Sequence, residues 1–129
     1  MANPNIVSVA TIEGGNAGWN LSTGLTTTLA ECGANYILKI NRIVCTNVHA
    51  TDAANLSLFV DGMGTGAAGI TTTGADATVY LAKVISVPAN ASLVVTDTPI
   101  YLMEGDLLKG GSSAASSLDL FISYETLID

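Results

Sequence analysis

The stretch Tyr36-Ile37-Leu38-Lys39-Ile40-Asn41-Arg42-Ile43-Val44-Cys45-Thr46-Asn47-Val48 decides the fold. It is rich in β-branched and aliphatic side chains, which favour extended backbone. Leu38, Ile40, Val44 and Val48 share one parity, Ile37, Ile43 and Cys45 share the other, and Arg42 interrupts. A register change near Asn41-Arg42, of the kind a β-bulge makes, reconciles the two halves of one long strand.

The same reading extends to either side. Ile6-Val7-Ser8-Val9-Ala10-Thr11-Ile12 opens as a strand, and Glu13-Gly14-Gly15-Asn16 ends it as a turn. Short strands are expected over 19–22 and 26–31, around Gly24, before the turn Cys32-Gly33-Ala34-Asn35. After the polar turn His49-Ala50-Thr51-Asp52, Leu56, Leu58 and Val60 alternate with Ser57, Phe59 and Asp61. Residues 62–77, small and rich in Gly, Thr and Ala, read as a long loop with one short strand at 70–73. Loops of that length inside a compact domain are usually functional, so this one is a candidate contact surface.

Strands resume over 78–87, stopped by Pro88, and then over 92–97 and 99–103. Glu104-Gly105-Asp106 turns tightly into Leu107-Leu108, and residues 110–117 (GGSSAASS) read as a flexible hairpin connection. The last strand, 118–125, places Leu118, Leu120, Ile122 and Tyr124 on one face. No segment carries a sustained helical pattern with caps. The expectation is a single all-β domain over 1–129, an antiparallel β-sandwich of about eight strands that fits a jelly roll. Pairing order stays open, and residues 1–5 form an N-terminal arm.

Composition bounds what such a domain can do. The chain has 129 residues, 49% apolar but only 5% aromatic, so its core must be aliphatic. Mean hydropathy is +0.49, yet no apolar run reaches the roughly 18 residues that a spanning helix needs. High hydropathy without a membrane segment suggests apolar surface buried between subunits. The net charge of −7 is spread along the chain, and the cations are only Lys39, Arg42, Lys83 and Lys109. That balance argues against nucleic acid, which needs a cationic footprint. The start, Met1-Ala2-Asn3-Pro4-Asn5, lacks the basic and apolar regions of a secretory signal, so synthesis in the cytoplasm is expected. Sequons at Asn20, Asn55 and Asn90 then read as chance in a Ser- and Asn-rich chain.

Candidate chemistry is sparse. Gly64-Thr65-Gly66-Ala67-Ala68-Gly69 matches the dinucleotide pattern G-x-G-x-x-G, but the Ile70-Thr71-Thr72-Thr73 that follows is poor helix, and the pyrophosphate needs a helix N-terminus. His49 with Asp52 could serve as base and orienter, but no Ser or Cys nucleophile lies nearby in a recognised motif. Glu104 and Asp106 fall well short of the oxygens Ca²⁺ wants. Cys32, Cys45 and the single His49 do not make a zinc set, and two free thiols are expected in a reducing compartment. Trp19 either anchors a subunit contact or packs between the first two strands. No catalytic, cofactor-binding or metal residue is assigned, and no enzyme activity is expected.

Leu81-Ala82-Lys83-Val84-Ile85-Ser86-Val87-Pro88-Ala89 and Ser92-Leu93-Val94-Val95 resemble small virion structural proteins of tailed phages, cyanophages especially. Pro99-Ile100-Tyr101-Leu102-Met103-Glu104-Gly105-Asp106 and Ile122-Ser123-Tyr124-Glu125 fit the same family, as do Asn5-Ile6-Val7-Ser8-Val9, Ile40-Asn41 and Thr46-Asn47-Val48. The likeness implies a β-sandwich of the capsid exterior, or of the tail, neck or baseplate. It implies a decoration or cement protein that clamps neighbouring capsomers, binds the major capsid protein and self-associates as a homotrimer. Arm 1–5 and loop 62–77 would strap a neighbour, and unpaired sheet edges would add β-augmentation. The loop is longer than the connection such proteins carry, so no contact residue is transferred. A host-recognition or carbohydrate-binding module is a third expectation, set back by few aromatics.

Overall fold

The computed structural model describes residues 11–62 and 78–128. Nine strands form there: β1 (Thr11–Asn20), β2 (Thr28–Glu31), β3 (Tyr36–Asn47), β4 (Ala54–Asp61), β5 (Val79–Val87), β6 (Ser92–Thr96), β7 (Ile100–Leu102), β8 (Leu107–Ser112) and β9 (Leu118–Ile128). No helix occurs among the described residues. The strands lie in two antiparallel sheets, one ordered β1-β9-β3-β6 with β7 also on β3, the other β2-β8-β4-β5. The expected arm 1–5, strand 6–10 and nearly all of loop 62–77, with its short strand 70–73, lie outside the described residues.

Strand order identifies the topology. β6 pairs with the second half of β3 and β7 with the first, so the two fill one strand position. The positions then nest: β1 on β9, β2 on β8, β3 on β6 and β7, β4 on β5. That is a long antiparallel ribbon folded into two sheets, which is the jelly roll. The sandwich expected from the sequence is present, with one strand position split in two.

The bulge in β3 makes the core possible. Ile40 pairs with Tyr124 and Arg42 with Ser123, which leaves Asn41 as the extra residue. Leu38 and Ile40 before it, and Ile43 and Cys45 after it, therefore all reach the core. Leu118, Leu120 and Ile122 of β9 lie beside them, while Leu56, Leu58 and Val60 of β4 and Leu108 of β8 face them from the other sheet. Each fully buried Leu or Ile contributes about 1.5–3 kcal/mol, so the core holds without stacked rings.

Two expected turns are strand instead. Glu13-Gly14-Gly15-Asn16 belongs to β1, which pairs with β9 without interruption from Thr11 and Ile128 to Asn20 and Asp119. Gly15 tolerates this because the Tyr124 ring fills its place; a Cβ there would come within 2.8 Å of that ring. The expected strand 19–22 is only the end of β1. Gly110-Gly111-Ser112 likewise belongs to β8, not to a flexible connection. A Cβ on Gly110 would collide with the Ser57 carbonyl oxygen, and one on Gly111 would stand 2.8 Å from the carbonyl oxygens of Ser22 and Gly24. Glycine at these two sites serves close backbone approach. Elsewhere the final strand runs on to Ile128, and β2 begins at Thr28.

Candidate functional site

The residues singled out for chemistry sit apart and are occupied by structural bonds. His49 Nδ1 accepts the backbone N–H groups of Thr51 at 3.2 Å and Asp52 at 3.0 Å, so it closes the β3–β4 turn. Its Nε2 stands 3.9 Å from Asp52 Oδ2, so the expected pair is adjacent, but at the long limit of an ion pair. Asp106 accepts the Met103 N–H at 2.9 Å, and Glu104 accepts the Asn35 N–H at 3.0 Å. These two carboxylates fasten different backbone segments rather than converging. Among the described residues no group of three His, Cys, Asp or Glu could hold a metal ion. The G-x-G-x-x-G stretch at 64–69 lies outside the described residues.

Both cysteines are free and buried. Cys32 Sγ donates to the Tyr36 carbonyl at 3.2 Å. Burial pushes the Cys32 thiol up from its ordinary range. Burial, followed by the nearby Asp119 carboxylate, pushes the Cys45 thiol up to about 11. A thiolate, the reactive form, is disfavoured at both positions.

The informative surfaces are the two lateral edges of the sandwich. The strand orders place β5 and β6 with β7 on one side and β1 with β2 on the other. β5 exposes Val79, Tyr80, Leu81, Val84 and Ile85, and buries only Ala82 and Val87. Val94 on β6 and Tyr101 on β7 add exposed apolar area. No carboxylate occurs in β5, β6 or β7, although the chain carries eleven.

β5 is also shaped locally. Its register against β4 shifts on either side of Leu58. Val84 has φ 53°, a left-handed conformation that a β-branched residue adopts only at a cost. Its N–H donates to Ser57 Oγ at 3.3 Å rather than continuing the ladder, and its side chain is left 59% exposed. Behind this bulge, Phe59 and Tyr80 pack with ring centroids 5.1 Å apart, and Lys83 Nζ lies 5.0 Å from the Tyr80 centroid, within cation–π range.

The opposite edge is concave. Trp19 of β1 is half-buried against the core and, with Ala30 and Glu31 of β2 and Leu38 and Tyr124 behind, lines a groove of about 270 Å³. A second hollow of about 230 Å³ adjoins it through Glu31 and Leu38 and extends past Tyr36. Trp19 thus packs on the core and lines this groove. β1 and β2 carry Glu13 and Glu31 and no Lys, Arg or His.

The sequence reading missed both edges, because exposure follows from strand order. The one signal it could have used is the absence of alternation in Val79-Tyr80-Leu81-Ala82-Lys83-Val84-Ile85. Comparison of the chain with protein-family profiles, curated proteins and solved structures gives no match.

Proposed function

We propose that the protein is a non-enzymatic virion structural protein, a decoration or cement protein that binds the outside of a phage head and stabilises contacts between capsomers. One observation carries the reading: among the described residues, the largest collection of exposed apolar side chains lies along one bulged edge of a jelly roll, whose strands β5, β6 and β7 hold no carboxylate. A patch of that kind supports the reading, since protein–protein contact sites present such surfaces. The residues that could have run a reaction are engaged in holding turns. The resemblance of 81–89 and 99–106 to small phage virion proteins points the same way, toward the major capsid protein as partner and a homotrimer as the assembled form.

A tail, neck or baseplate component shares every one of these features, and location distinguishes the two. Quantitative mass spectrometry of purified particles, with labelled protein imaged by electron microscopy, is the test. Many copies spread over the icosahedral shell support decoration. A few copies at one vertex transfer the protein to the neck or tail. The carbohydrate-binding reading is weaker, because the chain is only 5% aromatic, with one Trp, four Tyr and two Phe.

A further inference from the structure

The two edges differ in a complementary way. One presents apolar side chains around a single cation, Lys83, with no carboxylate in its strands and one, the exposed Asp97, at the β6–β7 bend. The other is an apolar groove rimmed by Glu31, with Glu13 further along β1 and no cation in its strands. We infer that the β5 edge of one copy docks into the β1/β2 groove of a second copy, head to tail, with Lys83 meeting Glu31. The inference rests on the docking reading above only in expecting a multivalent assembly.

Three features select this arrangement. First, the register shifts and Val84 break the regular edge of β5, which blunts strand addition. The bulge instead re-aims Val84 outward, so contact runs through side chains entering a groove. Second, Lys83 is the central residue of Val79–Val87, so a two-fold self-pairing of β5 would set it against its own copy. Like charges directly opposite are unfavourable, which disfavours a symmetric dimer through this strand. A head-to-tail contact uses two different patches and closes into a ring when its rotation allows. Third, a standard interface takes about 800 Å² from each partner, a modest share of the 6810 Å² surface of this chain.

Sedimentation velocity on the full chain tests the contact, comparing wild type with Lys83→Glu, Glu31→Lys and the double variant. Both residues are exposed on their strands, and thermal melts superimposable on wild type certify that each variant is folded. The wild type is expected to assemble, each single exchange to weaken assembly at least about tenfold, and the double exchange to restore it, because it recreates the pair with signs reversed. Val84→Glu, a more disruptive change at the same edge, is expected to give monomer. A monomeric wild type overturns the inference, and so does assembly indifferent to Lys83→Glu or a double variant as dissociated as the singles. The assay contains no phage head, so a monomer would remove this contact while leaving head binding to its own test. An assembled ring that binds no head would do the reverse.

Discussion

Asn47 donates from Nδ2 to the Val87 carbonyl at 2.9 Å, and this buried amide joins the last residue of β3 in one sheet to the last residue of β5 in the other. Nδ2 also donates to the Asp52 carbonyl at 3.0 Å, and Oδ1 accepts the His49 N–H at 2.8 Å. With Asn47 only 1% exposed and its bond to Val87 buried, the Val87 carbonyl has no ready replacement partner in water.

Replacing Asn47 with Ala should therefore cost about 1–3 kcal/mol, because the buried Val87 carbonyl loses its partner and the part-buried Asp52 carbonyl and His49 N–H lose theirs. Urea unfolding of the purified variant measures the loss. A change below about 0.5 kcal/mol would show that this link between the sheets contributes little.

Gly110→Ala should destabilise the fold by about 1–3 kcal/mol through overpacking against Ser57 and Leu58. Gly14→Ala is the control, since a Cβ there meets nothing within 4 Å. Thermal melts of the two variants should separate clearly.

Native protein at pH 8 should leave both thiols unmodified by iodoacetamide, since burial keeps Cys32 and Cys45 protonated and shielded. Full modification should follow only on unfolding, read by intact mass. Rapid labelling of Cys45 in the folded chain would contradict its burial.

Acid stability should depend on Asp61. Lys109 Nζ donates to its Oδ2 at 2.9 Å, with the Gly62 N–H and the Thr78 hydroxyl each at 2.9 Å on Oδ1. The Lys109 bond first, then the other two, holds its carboxyl down at about 2 from an ordinary 3.8. A lowered value favours the folded state above pH 3.8, and that contribution is lost as pH falls toward 2. Asp61→Asn should accordingly flatten the decline in stability across this window. A decline as steep as that of wild type would count against the network.

Local sequence carried the fold class well, because strand propensity and alternation are properties of neighbouring residues. The bulge at Asn41 was legible for the same reason, since a parity change in the apolar pattern records it. Gly110 and Gly15 were not legible: their glycines answer to Ser57 and Tyr124, which are distant in sequence, and local reading assigns Gly to turns. The exposed apolar edge and the groove opposite it were hidden likewise. Whether Val84 faces solvent depends on β5 ending its sheet, and only pairing order fixes that.

The role proposed is mechanical: this jelly roll would grip a shell and perform no turnover. Its most direct test is the temperature at which phage heads lacking the protein release their genome, measured while purified protein is added back. The account predicts a release temperature that climbs and then levels off as the shell saturates. Heads that bind the protein and release at an unchanged temperature would contradict it.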